Sequence, residues 1–199
     1  MPPTHSYHHG DLRQAILTAA IAALAESGPA QLSLRDLARR AGVSHAAPAH
    51  HFGDKAGLLT AIAAEGYNLL ADTLTAAQRR TADFLEVGVA YVRFAVDHRA
   101  HFEVMFRPDL YRPDDPEVAS ARQRAADALS GGVGSVAATR RGPDVPLAGV
   151  AAWSLVHGFA TLWLNHALPA GLGDDPETAA RAVAAILFHS PESDSSVHR

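Results

Sequence analysis

The chain has 199 residues, 48% of them hydrophobic, and a formal net charge of −4. That length suits one large domain or two small ones, and the apolar content is enough for a real core. The absence of cysteine excludes disulfides and thiol chemistry and suits a reducing compartment, here taken as the cytoplasm.

Alanine is abundant and β-branched runs are few, which predicts an all-α chain of about nine helices. The opening "MPPTHSYHHGDL" has no apolar run and does not read as a signal peptide. Helix one is predicted after Gly10, with Leu12, Ile16, Ala19, Ala20 and Ala23 at helical spacing, and Gly28-Pro29 ends it. Helix two opens at Ser33, an N-cap type, with Asp36 three residues on as in a capping box; Gly42 stops it. A short third helix is expected over 45–51, capped by Ser44, with Pro48 as its fourth residue. Helix four runs from near Asp54 to about Arg80 on a stripe of Leu58, Leu59, Ile62, Leu69 and Leu70.

The stretch "TADFLEVGVAYVRFAVDHRAHFEVMF" is apolar on two faces and predicts one central helix. "RPDLYRPDDPE" reads as a linker, a helix follows from about 116, and "TRRGPDVP" is a second linker. Residues 147–168 carry no Asp, Glu, Lys or Arg. That run is long enough to cross a membrane, but its Ser154, His157, Asn165 and His166 favour a buried helix with one face against a second subunit. A last helix spans about 175–189, and "SPESDSSVHR" is expected to be disordered. The expected domains are 1–55, 56–190 and a tail, 191–199.

Charge is unevenly spread. Residues 1–57 hold five cations and four anions, a net of +1, and the remainder is −5. They also hold six of the twelve histidines. The N-terminal part is therefore the better candidate for an anionic partner. Helix two, tight turn and helix three have the order of a helix-turn-helix. Ala38 is small enough for a close crossing, Gly42 can turn left-handed, and Val43 can plug the angle. By itself this pattern also fits a plain helical hairpin.

Residues 11–59 resemble the DNA-binding domain of the tetracycline-repressor (TetR) family. The matching pieces are "AESG" closing helix one, "LSLRDLARRAGVS", and "HHFGDKAGLL"; "YHHGDLR" at 7–13 also looks like the start of family members. Further on, "AAWSLVHGFATLWL" looks like a C-terminal domain type marked by Trp and, four residues later, His-Gly. The resemblance implies that Lys55 meets a DNA phosphate, with Ser33 and Arg35 also against the backbone. A cation in the first turn of a helix opposes the helix dipole, so a nearby phosphate gives it a reason to be there. Ser44, His45, Ala46, Ala49 and His50 are the candidates at the DNA-facing side of helix three. The family commonly has Tyr where this chain has Ala49, which puts one backbone contact in doubt.

The resemblance further implies a homodimeric transcriptional regulator, a repressor of a pseudo-palindromic operator in double-stranded DNA, released by a small, largely apolar effector. Candidate pocket residues are Tyr91, Phe94, Phe102, Met105, Phe106, Trp153, His157 and Trp163. His157 reads equally as a satisfied core histidine or as the polar group that orients a ligand. Candidate dimer residues are Leu155, Phe159, Leu162, Ala182 and Ile186. No cofactor is expected, and no catalytic or metal residues are assigned: carboxylate pairs and triad orderings are lacking, and His98 with His101 offers at most two ligands. A helical ligand- or metal-binding module that no longer binds DNA tightly remains the alternative.

Overall fold

A computed structural model describes residues 9–131 and 145–188. The residues before 9, the expected linker around 139–144 and the expected tail 191–199 lie outside the described residues. Among those described, every regular element is helical: α1 (His9–Ser27), α2 (Leu34–Arg40), α3 (Ala47–Phe52), α4 (Lys55–Thr81), α5 (Phe84–Asp97), α6 (Arg99–Met105), α7 (Pro116–Ser130), α8 (Val145–Leu164) and α9 (Pro176–Phe188), with a 3-10 turn at Pro29–Gln31. The all-α expectation stands, and the described residues hold nine helices.

The chain forms two compact units. One holds the residues up to Ala71 together with His98–Ala126; the other holds Asp72–Asp97 and the residues from Asp127. Helix α4 contributes to both. In the first unit, Ile16, Leu17, Ala20 and Leu24 of α1 and Leu58, Leu59 and Ile62 of α4 are fully or almost fully buried. Their spacing of three and four residues is the stripe read from the sequence. Helix α1 packs on α2, α3 and α6. Tyr67 of α4 and Tyr111 both donate to the Met105 carbonyl, at 2.8 and 3.0 Å, which satisfies the end of α6.

In the second unit α5 is the central element, packed on both α8 and α9. Val87, Tyr91, Val92, Phe94 and Ala95 are buried. Gly88 brings α5 close to α8: a Cβ there would stand 3.1 Å from Val156 Cγ1. Glu86 of α5 accepts from Arg181 of α9 at 2.7 and 3.0 Å, and that guanidinium holds the Glu86 carboxyl below its usual range.

Three local expectations are corrected. The predicted central helix breaks at His98, whose φ of −120° and ψ of 42° leave the helical region, and α6 starts afresh at Arg99. The proposed capping box is absent: Ser33 is the N-cap of α2 by backbone, but its hydroxyl makes no cap bond, and Asp36 binds Arg39 and Arg40 instead. Helix α3 begins at Ala47 rather than 45, with Ala46 as N-cap. Ser44 instead closes the preceding turn, its carbonyl accepting from the Ala47 N–H at 3.0 Å.

Candidate nucleic-acid interface

The turn between α2 and α3 follows directly from its residues. Ala41 is the C-cap, Gly42 takes φ +66°, and Val43 folds back. The Val43 N–H donates to Ala38 O at 2.9 Å and the Gly42 N–H to Arg39 O at 3.3 Å. This pair of bonds is a Schellman motif, in which only a glycine enters the left-handed conformation without a Cβ penalty. Ala38 is fully buried at the crossing, and Leu37 is fully buried beside it.

Helix α3 has two unlike sides. Ala47, Pro48 and Phe52 are buried, while Ala49 and His50 are exposed. Pro48 lies in the first turn, where its missing N–H has no intrahelical partner to lose. Phe52 sits against α1, with the Arg13 guanidinium 5.2 Å above its ring. Sequence reasoning missed Arg13; a cation one turn into helix one was the available signal. Ser33, Arg35, Ser44, His45 and Ala46 are all exposed too. Apart from Lys55, all the DNA-side candidates are therefore open to a partner.

Lys55 is partly covered, and its Nζ donates to the Ala30 carbonyl at 3.2 Å. An ammonium has three donors, so this bond orients it and leaves others for an anion. Asp54 caps α4, its Oδ1 accepting the Gly57 N–H at 2.8 Å. The arginines of α2 are engaged. Arg39 and Arg40 reach Asp36 at 2.6 and 2.7 Å, and Arg40 reaches Glu26 at 2.7 Å. Hydrogen bonds from Arg39 and then Arg40 lower the Asp36 pKa. Arg35 and Lys55 hold no carboxylate partner among the described residues, which leaves them as cations for a phosphate.

The candidate pocket residues fall in both units. Phe102, Met105 and Phe106 belong to the first unit, where Phe102 and Phe106 meet edge to face at 5.0 Å. Tyr91, Phe94, Trp153, His157 and Trp163 belong to the second. There the Trp153 indole N–H donates to Tyr91 Oη at 3.2 Å, and Tyr91 Oη lies 2.9 Å from His157 Nδ1. An indole can only donate, so the phenol oxygen accepts from it, and the His157 tautomer sets the direction of the second bond. Burial raises the Tyr91 pKa and lowers that of His157, which keeps both neutral. Phe94 is core and Trp163 stacks on Phe159. A narrow, almost wholly apolar cleft of about 10 Å³ lies in the same unit, lined by Phe84, Leu85, Gly88, Leu129, Val156 and Ala184. None of the pocket candidates lines it.

Of the dimer candidates, Leu162, Ala182 and Ile186 are exposed, Leu155 is half-buried, and Phe159 is turned into the core of its own unit. Helix α8 shows more apolar surface than expected: Leu147, Val150 and Trp153 are exposed as well. Its span Leu147–Leu164 is long and apolar enough to cross a membrane, with only 17% of it buried. His98 and His101 lie with ring centroids 5.8 Å apart, and no group of three or more metal-ligand side chains is present among the described residues.

Comparison with known proteins decides what this head belongs to. The family model of bacterial regulatory proteins of the tetR type matches residues 16–62, and that of the tetracyclin repressor-like C-terminal domain matches 84–187. The chain belongs to the TetR family of transcriptional regulators. Among solved structures, it is similar to a Rhodococcus sp. RHA1 protein of unknown function, at 33% identity and TM-score 0.77 over 92% of this chain and 96% of that one. It is also similar to the TetR-family regulator PfmR from Thermus thermophilus, at 26% identity and TM-score 0.66, covering 89% and 98%. A tetR-family regulatory protein from Rhodococcus RHA1 matches at 25% identity and TM-score 0.69, covering 88% and 95%. No curated protein matches the chain. As a TetR-family member, the chain joins a DNA-binding helix-turn-helix to a helical ligand-binding domain.

Proposed function

We propose that the protein is a cytoplasmic, dimeric repressor that binds a pseudo-palindromic operator and leaves it when a small apolar effector occupies the C-terminal domain. The observation that carries the reading is the two-sided α3: Phe52, Pro48 and Ala47 hold it to the head, while His45, Ala46, Ala49 and His50 stay open for a major groove. Alanine methyls suit thymine methyls and histidine can donate or accept, but α3 offers no Arg, Asn or Gln for bidentate base contacts. Direct readout is correspondingly weak, and DNA shape carries more of the specificity.

The exposed apolar residues of α8 and α9 support a dimer built on these helices, through Leu155, Leu162, Ala182 and Ile186 together with Leu147, Val150 and Trp153. A run this apolar is stable in water only if another surface covers it. The cleft beside Gly88 is almost wholly apolar, so an effector seated there would carry little charge, and at about 10 Å³ it would have to widen to admit one. Effector binding would act by shifting α4 between two populations and with it the separation of the two reading heads.

The test is a gel shift on the DNA upstream of the protein's own gene, with Lys55→Ala as the comparison. The wild type retards the fragment, and the variant binds more weakly with a shallower dependence on salt, because one phosphate contact is gone. Wild-type-like binding by Lys55→Ala would remove that contact from the account.

A further inference from the structure

We propose that Arg112, far from the head in sequence, is a positioning residue for DNA binding; this rests on the reading of the head given above. Its guanidinium Nη2 donates to both oxygens of Asp54, at 3.0 and 2.9 Å, across 58 positions of chain. Asp54 is the residue that caps α4, through the Gly57 N–H. It stands between Gly53, which ends α3, and Lys55. One carboxylate thus serves the end of the recognition helix, the start of α4 and a distant loop.

The packing at Gly57 shows how close these parts lie. A Cβ there would come within 2.0 Å of the Phe52 carbonyl oxygen and 2.7 Å of Arg112 Nη1. The end of α3 and the guanidinium therefore close on the same glycine, and any side chain at 57 would push both away. Arg112 is also held at its own backbone. Its N–H donates to Thr60 Oγ1 at 3.0 Å, and the buried Thr60 hydroxyl donates to Ala56 O at 2.7 Å. Its neighbour Tyr111 is buried and bonded to the Met105 carbonyl. An exposed ion pair usually contributes little because two long side chains must be ordered to form it. Here one partner is a capping Asp and the other starts from a fixed backbone, so much of that ordering is already done. The loop after α6 thereby sets where α4 begins, and with it the pose of Lys55 and of the last turn of α3.

The experiment uses the full chain and the operator fragment. Asp54→Asn keeps the cap, since an amide oxygen still accepts the Gly57 N–H, and removes the charge. Arg112→Ala removes the other partner. Each variant is expected to weaken operator binding by about fivefold at low salt, the upper range for an exposed pair. The double variant loses no more than either single one, and Arg112→Lys recovers most of the loss. The dependence of affinity on salt keeps the wild-type slope, because no phosphate contact is removed. In the free protein, amide hydrogen exchange over 54–60 speeds up in both single variants while α5 and α8 are unchanged. The proposal is overturned if the two losses multiply, if exchange over 54–60 does not change, or if Arg112→Ala lowers the salt slope, which would make Arg112 itself a phosphate contact. Failure of the wild type to bind the operator would instead strike the DNA-binding reading, and the exchange result would still decide whether Arg112 sets this junction.

Discussion

Ala49 is exposed on α3, in the place where the family commonly has tyrosine. Nothing in the fold forbids a larger side chain there. Ala49→Tyr is therefore expected to tighten operator binding by about fivefold, near the ~1 kcal/mol of one added hydrogen bond. Titration of operator DNA by wild type and variant checks it, and unchanged affinity would show that position 49 does not reach the backbone. His101 makes a second residue-scale case. It is 4% exposed, its Nδ1 has no hydrogen-bond partner, and its Nε2 lies 3.5 Å from Glu65 Oε2. Burial lowers its pKa; the Glu65 carboxylate opposes this and His98 adds to it. The unfolded chain then takes up a proton near pH 6.5 that the folded one resists, so stability is lost as pH falls through that value. Asp36 and Glu86 have lowered pKa values, and what they contribute is lost only below about pH 4, outside this window. The melting temperature should fall between about pH 7.5 and 5.5, and less so in His101→Gln. A flat profile for the wild type would refute this.

At the scale of elements, the long apolar run of α8 was legible because no charge interrupts 147–168, but its role was not. Periodicity alone cannot say which apolar face meets its own core. The structure turns Val156, Phe159 and Ala160 inward and leaves Leu147, Val150 and Leu162 outward. It also uses α8 to satisfy the buried Tyr91. Tyr91→Phe would take the phenol oxygen from both the Trp153 indole N–H and His157 Nδ1, at a cost of about 1–3 kcal/mol. A drop of several degrees in melting temperature is expected, with the helical circular dichroism unchanged. No drop would mean that water replaces the phenol. The break at His98 was not legible at all. No Gly or Pro marks it, and the heptapeptide "VDHRAHF" reads as helix throughout. Beyond the break, Ala100, His101 and Phe102 of α6 are buried in the first unit.

For the whole molecule, the expected cut at residue 55 followed the DNA-binding motif. The compact units instead assign His98–Ala126 to the same body as α1–α3. Chain order does not reveal this, because the contacts that bring it about, such as Arg112 with Asp54, join residues far apart in sequence. The exposed apolar residues bear on assembly. Ile186 is 77% exposed and Leu162 46%, so a charge at either position leaves the core of the unit untouched. If the proposed dimer is built on α8 and α9, Leu162→Glu with Ile186→Asp should give a folded monomer by light scattering. Persistence of the dimer would place the interface on other surfaces. Phe159→Ala is the contrast: as a buried ring it should lower stability by about 3–5 kcal/mol.

Sequence by itself determined the helical class, the small-residue turn at Gly42, the stripe that buries α1 and α4, and the family of the reading head. Each depends on neighbours within one or two turns, where the period of about 3.6 residues and the conformational range of glycine act directly. Tertiary structure decided where α3 starts, that the helix breaks at His98, which face of α8 meets its own unit, and that Arg112 closes on Asp54. Those outcomes depend on which surfaces meet, and a contact across 58 residues leaves no local pattern in the chain. Pro48 shows both kinds of information in one residue: its fixed φ was readable as compatible with a helix start, but only the packed head put that start at Ala47.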